Sequence, residues 1–379
     1  MVFSWCLGER KIMTEWVEFI REQLYGGFGA VAAKDTHVPC GGSRDLRADY
    51  MSLVRGPALV DRSCRGLLEV TGKDRSAWLH NLTSNQVKPL TAGQGNYAFV
   101  LNIQGRILFD LNLLVRGDSI WLDLDRRFVD VAKTHFAKYT IVEDVTVVDR
   151  SEEWVRLACV GDGAVGAMAM IGVPQAASIP ALGTAEAEWR AVSMTAVRTD
   201  FCGPWAMEFL VPAASAVDVW KGLTDPGGSV RAIPVGEEAV QVRRIEAGLP
   251  WPGMEITDDV LPAETRQLDR AVSFNKGCYL GQEVVERMRS RHVVARQLVG
   301  LESSAGEPAP TGAALLGADD KPVGKLTSCC RSLARARIIG LGYVKTALST
   351  VGQSLRVVWE GGSAEAVVAG LPFVPARPG

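Results

Sequence analysis

From about residue 293 onward the chain carries no helical periodicity. VARQLVGLE, AALLG, PVGKLTS, RIIGLGYV and SLRVVWE follow one another as short apolar runs at regular spacing, punctuated by glycine. Strands so short and evenly spaced must hide their edges, and closure into a small barrel does this. A barrel is therefore expected over 293–379, with a boundary near 292.

Upstream the pattern is mixed. Trp16, Phe19, Ile20 and Leu24 recur at helical spacing within 14–28, and 30–50 reads as a polar, Gly-rich arm. LLEVTG (67–72) reads as a strand, and Asp74 as the N-cap of a helix carrying Ala77, Trp78 and Leu82. Two strands, 97–103 and 107–115, flank the turn Gln104-Gly105-Arg106. In the second, Phe109, Leu111, Leu113 and Val115 alternate with Asp110 and Asn112. IWLDLD (120–125) pairs next, and Phe128, Ala132, Phe136 and Tyr139 share a helix face. The order then repeats: strand 154–161, helix 163–171, an Ala/Pro loop at 173–190, strands 194–201 and 207–212, helix 214–223, and a helix carrying Val235, Ala239, Val242 and Ile245. The strands group as antiparallel hairpins, so the fold class is α+β rather than doubly wound α/β. The chain divides as an N-terminal helix and arm (1–50), a first α+β lobe (51–150), a second (151–292) and the barrel (293–379).

Composition excludes several function classes. With 47% hydrophobic and 22% charged residues the chain is globular, not disordered. Lys and Arg total 41 against 43 acids, a net charge of −2, so bulk basic attraction to nucleic acid is excluded. No apolar run is long enough to cross a bilayer. GxGxxG and GxxxxGK[ST] are both missing. The eight cysteines form no CxxC pair, which suits reduced thiols rather than a disulfide framework or a zinc site. His37, His80, His135 and His292 show no metal spacing. The N-terminal text lacks an apolar leader core, and Met13 is an alternative start; a cytoplasmic location is expected, or the mitochondrial matrix for a eukaryotic source.

One stretch stands apart: Asn275-Lys276-Gly277-Cys278-Tyr279-Leu280-Gly281-Gln282-Glu283. Two glycines bracket Cys278, and Lys276 and Arg287 supply cations that favour a thiolate. A structural cysteine in a tight turn before a helix accounts for the same spacing equally well.

Lys276-Gly277-Cys278-Tyr279-Leu280-Gly281-Gln282-Glu283 resembles the K-G-C-Y-x-G-Q-E motif of the YgfZ-type folate-binding proteins. Leu101-Asn102-Ile103-Gln104-Gly105-Arg106, Arg244-Ile245-Glu246-Ala247-Gly248-Leu249-Pro250, Leu261-Pro262-Ala263-Glu264 and Leu341-Gly342-Tyr343-Val344 resemble further text of that family, in the same order. The wider superfamily includes the glycine cleavage T-protein. The resemblance implies a cloverleaf of two α+β lobes and a barrel around a central hole that binds tetrahydrofolate. It implies a factor for assembly, maintenance or repair of iron–sulfur proteins, with those enzymes or their assembly proteins as partners, and a monomer. The alternative is a folate-dependent one-carbon transferase or demethylase.

The resemblance also names a site. Glu208 becomes the acceptor for the pterin edge, against a plain reading as a solvent-facing strand residue. Arg244, Lys276 and Arg287 are candidates for the glutamyl tail, although Arg244 also suits a helix C-terminus. Tyr97 and Tyr279 could stack or pack. Cys278, Lys276 and Asp110 are the candidates for chemistry. T-protein has an acid pair where this chain has Leu108-Phe109-Asp110-Leu111, which predicts no glycine-cleavage activity.

Overall fold

The structure, a computed structural model, describes residues 3–25, 45–203, 205–291, 294–304 and 306–375. His37, Cys40, His292 and most of the expected 30–50 arm lie outside them; within that arm, 46 onward is already helical.

Seventeen strands run through these residues in chain order. They are β1 (Ala58–Asp61), β2 (Arg65–Thr71), β3 (Gly95–Leu101), β4 (Ile107–Val115), β5 (Ile120–Asp125), β6 (Thr146–Asp149), β7 (Trp154–Val160), β8 (Thr184–Trp189), β9 (Val192–Thr199), β10 (Ala206–Pro212) and β11 (Ile233–Pro234), then β12 (Arg296–Ser303), β13 (Ala314–Leu316), β14 (Pro322–Ser332), β15 (Arg337–Lys345), β16 (Ser354–Trp359) and β17 (Gly362–Ala369). The last six close into a barrel in the order β12-β15-β14-β13-β16-β17. The others form a five-stranded sheet, β3-β4-β5-β2-β6, and a six-stranded sheet, β11-β1-β7-β10-β9-β8. Strand β1 comes from the first part of the chain yet pairs with β7, so the expected division near 150 does not separate the sheets.

Period-two alternation decides what each sheet buries. In β4, Phe109, Leu111 and Leu113 pack outward against helices α3 (Arg75–Leu82) and α4 (Val129–Lys138). In β7 and β10, Val155, Leu157, Met207 and Phe209 pack against the long helix α1 (Phe3–Tyr25), α5 (Ala164–Met170) and α6 (Ala216–Thr224). Trp16 of α1 is 1% exposed, meets Trp220 edge-on and donates its indole N–H to Ser63 Oγ at 2.9 Å. The inner faces of the two sheets look toward one another. They share a core with the barrel, in which Phe99, Leu210, Leu298 and Tyr343 meet.

Two expectations are corrected. Residues 184–189 are strand rather than loop: Ala187 is buried while Glu186 and Glu188 are exposed, an alternation masked by the low strand preference of Ala and Glu. Asp74 sits at the start of α3 but makes no cap bond; its Oδ2 accepts from the Asp144 amide at 2.9 Å.

Between α2 (Leu46–Arg55) and the barrel runs α7 (Glu237–Glu246), which carries two buried anchors; Val235, expected within this helix, lies just before its Gly236 N-cap and is buried there. Glu246 accepts from Tyr50 Oη (2.7 Å), Arg243 (3.1 Å) and Ser332 Oγ (2.6 Å). Arg244, 0% exposed, donates to Glu255 Oε2 at 2.9 Å and to Ser328 Oγ at 2.6 Å, and Thr327 donates to the other Glu255 oxygen. Removing one partner of such a pair leaves an uncompensated buried charge. Arg244→Ala is therefore expected to cost about 3–5 kcal/mol in denaturant unfolding. A loss below about 1 kcal/mol would show that the seam between α7 and the barrel does not depend on it.

Candidate functional site

The inner faces of the two sheets enclose a cleft of about 750 Å3, its mouth included. Strand alternation alone brings its charged walls together. On β5 the pattern Leu122-Asp123-Leu124-Asp125 sends both leucines outward and leaves both aspartates to line the cleft. On β4, Asp110 and Asn112 line it likewise, and β10 contributes Glu208. Phe201, Trp251, Arg62, Arg65, Cys64 and Arg270 are also in the wall.

Buried charges tie the floor. Arg156 forms an ion pair with Asp123 at 2.7 Å across the sheets and donates to Glu208 at 3.0 Å beside it. Arg65 adds a second guanidinium at 2.8 Å, and Asn112 donates to Asp123 at 2.7 Å. Together these guanidinium groups hold the Asp123 carboxyl well below the usual range despite its burial. Higher in the cleft, Tyr97 Oη donates to Asp110 Oδ2 at 2.6 Å. Burial pushes the Asp110 carboxyl up, with Arg65 and the Tyr97 bond opposing. Its second oxygen is buried without a partner. Such a carboxyl can hold or release a proton nearer neutrality than an ordinary one.

Of the residues singled out from sequence, Tyr97, Asp110 and Glu208 thus share this cleft. The others do not line it. Arg244 is committed to Glu255 at the barrel seam. Arg287 lies exposed on α8 (Gln282–Arg291). Lys276 donates from Nζ to the carbonyls of Thr83 (2.6 Å), Asn85 (2.8 Å) and His80, so it caps the C-terminal end of α3. Burial pushes this amine down to about 7, Lys88 adding to the effect, while three carbonyl acceptors oppose it by taking an ammonium's three protons. Tyr279 is 7% exposed and packs in the shared core, its ring 5.0 Å from the Lys276 nitrogen.

Cys278 is the one exposed cysteine among the described residues. Its loop is held at both ends, by the Lys276 cap and by the Leu280 amide on Asn81 O at 3.2 Å. Gly281, at φ +81°, packs on the Gln104-Gly105-Arg106 turn, where a Cβ would come 2.6 Å from Asn102 O. The two family-like stretches are thus one interlocked unit. Burial pushes the Cys64, Cys159, Cys202 and Cys330 thiols up to about 12.

A pattern describing the GCVT N-terminal domain matches residues 43–276, and one describing the glycine cleavage T-protein C-terminal barrel domain matches 296–375. The chain belongs to the glycine cleavage T-protein family. An aminomethyltransferase of Nostoc sp. is 30% identical over 334 residues, covering 86% of this chain and 87% of its own. One from Cutibacterium acnes is 27% identical, covering 89% and 92%. The crystal structure of the glycine cleavage system aminomethyltransferase T from Bartonella henselae superposes with a TM-score of 0.79 at 23% identity, over 89% of this chain and 92% of that one, and shares the fold. Among the described residues no helix is long and apolar enough to cross a membrane.

Sequence reasoning missed Arg62, Arg65, Asp123, Arg156 and Arg270. For Asp123 and Asp125 the Leu-Asp-Leu-Asp alternation was a usable signal; for the arginines nothing local distinguishes a cleft wall from a surface.

The Asp123 network sets a pH dependence. A carboxyl with a depressed folded pKa stabilises above its unfolded value, near 4, and loses that contribution as pH falls toward the folded value. Asp123→Asn is expected to cost about 3–5 kcal/mol at pH 7, by leaving the buried Arg65 without its carboxylate partner and Arg156 with Glu208 alone. The gap from wild type should shrink progressively below about pH 4 in denaturant titrations. A gap independent of pH would mean that the charge is not what matters.

Proposed function

We propose that the cleft binds a reduced folate and that the protein serves as a tetrahydrofolate-dependent factor in assembling, maintaining or repairing iron–sulfur proteins. The observation that supports folate binding is the placement of Glu208, Asp110 and Tyr97 in one cleft beside the ring faces of Phe201 and Trp251. A pterin needs a carboxylate acceptor for its donor edge and an aromatic face for its ring. Glu208 takes one short bond from Arg156, so acceptor capacity remains on its other oxygen. The aminomethyltransferase fold of the relatives agrees with this ligand. The iron–sulfur role is supported by the Lys276–Glu283 motif and by the exposure of Cys278 on a loop held at both ends. Lys276 supports that loop by capping α3, rather than by standing free beside the thiol.

The second reading is one-carbon transfer. The unpartnered oxygen of Asp110 favours it, because a cleft carboxyl with a raised pKa can move a proton at a folate nitrogen. The two readings share the ligand and differ in the client. With aminomethylated lipoyl carrier protein and tetrahydrofolate, ammonia release at the background rate is expected; a robust rate would put the transferase reading first.

Calorimetry with tetrahydrofolate is expected to show a complex, and Glu208→Gln to weaken it by about 1.5–3 kcal/mol. No heat and no thermal shift at millimolar ligand would remove the folate reading. For Cys278, iodoacetamide labelling of native protein should alkylate it ahead of Cys64, Cys159, Cys202, Cys329 and Cys330. Cys278→Ser should bind folate as wild type does yet fail to restore cluster-enzyme activity in a host lacking its own homologue. Full restoration by Cys278→Ser would reduce the cysteine to a structural residue.

A further inference from the structure

The pterin position proposed above already holds a side chain. Arg62 follows β1, and its amide is fixed by a hydrogen bond to Arg156 O at 2.8 Å. Its guanidinium carbon lies 4.0 Å from the centre of the Phe201 ring and 5.2 Å from that of Trp251. Trp251 is tied to Phe201 by an indole N–H bond to the Phe201 carbonyl at 3.1 Å, so the two rings are a fixed pair. Arg62 Nε stands 3.6 Å from Glu208 Oε1, too far for a hydrogen bond, and it is buried with no hydrogen-bond partner. Arg62 is 5% exposed and Glu208 only 2%.

The chemistry of that arrangement is specific. The 2-amino-4-oxo edge of a pterin is an N–C(NH2)–N unit, a guanidine in a ring. It is planar, donates to a carboxylate and stacks on aromatic faces, as an arginine head does. Arg62 presents these properties to the same carboxylate and the same two rings. A residue built into its place would make its full set of bonds. Arg62 instead leaves Nε without a partner and keeps a long contact to Glu208, which fits a side chain that can be exchanged.

We propose that Arg62 is an internal occupant of the pterin position, so that a reduced folate enters only by displacing its guanidinium from Glu208, Phe201 and Trp251. The inference rests on the folate reading of the cleft. Arg62 then sets affinity and selectivity: a ligand must bring both a guanidine-like edge and enough further contact to outcompete a tethered rival. The apparent dissociation constant is raised by the reciprocal of the fraction of molecules in which Arg62 has moved aside.

The test is calorimetry with 5-formyltetrahydrofolate on wild type, Arg62→Leu, Arg62→Lys and Arg62→Ala, each first checked for a native melting transition. Arg62→Leu should bind about tenfold more tightly, corresponding to an open fraction on the order of a tenth in wild type. Arg62→Lys keeps a charge but not the planar fork, and should fall between. In Arg62→Ala, free guanidinium at non-denaturing concentration should weaken folate binding by refilling the vacated place. In wild type it should have little effect, because the tethered group has the higher effective concentration. A general loosening of the fold would not produce that difference. Weaker or unchanged binding in Arg62→Leu, with wild type binding folate, would overturn the inference and leave the folate reading standing. Absence of binding in wild type and in every variant would overturn both.

Discussion

Arg156 is the contact on which the two-sheet arrangement depends. It projects from β7, yet it shares its guanidinium between Asp123 of the facing sheet and Glu208 of its own. All three side chains are nearly closed to solvent. Burying charge is costly unless every member is paired, so the sheets are favoured at the one spacing where Arg156 reaches both acids. The cleft follows from this. Its walls must stay polar to satisfy the network, and a polar cavity between two sheets is open to a ligand with matching donors and acceptors. Architecture and site are here set by the same few charges.

Much of this was legible in the sequence because strand alternation is a local signal. Asp110 between Phe109 and Leu111, and Glu208 between Met207 and Phe209, had to face away from the outer apolar layers. The barrel was legible from strand length and glycine spacing. What was hidden depends on partners far away in the chain. Arg244 reads as a free cation near a helix end until Ser328, 84 residues later, closes over it. Lys276 reads as an activating charge beside a thiol until its acceptors prove to be main-chain carbonyls of α3 and the residues just after it, more than 190 positions earlier. Residue type could not reveal that, because every residue has a carbonyl.

The interlock of Gly105 and Gly281 explains why two distant stretches of sequence belong together. Both glycines have positive φ; a Cβ on Gly281 would come 2.6 Å from Asn102 O, and one on Gly105 would come 2.7 Å from Val284 Cβ on the helix that follows the Cys278 loop. The Cys278 loop is therefore mounted on the β3–β4 hairpin as well as on α3. That hairpin also carries Tyr97 and Asp110, bonded to one another in the cleft. The exposed thiol and the cleft are attached to one rigid piece of the first sheet.

The long helix α1 lies outside the region that the family patterns cover, which begins at residue 43. Even so, Met13, Trp16, Ile20 and Leu24 are part of the apolar layer behind the six-stranded sheet, and Trp16 reaches Ser63, the neighbour of Arg62. A fragment cut to the family region would uncover Trp220 and the strand residues beneath it, giving a sticky face in place of a finished surface. The piece of this chain that closes its own apolar layer is thus larger than the piece the family patterns cover, and the surplus includes a tryptophan-bearing helix that roofs the sheet beside the cleft.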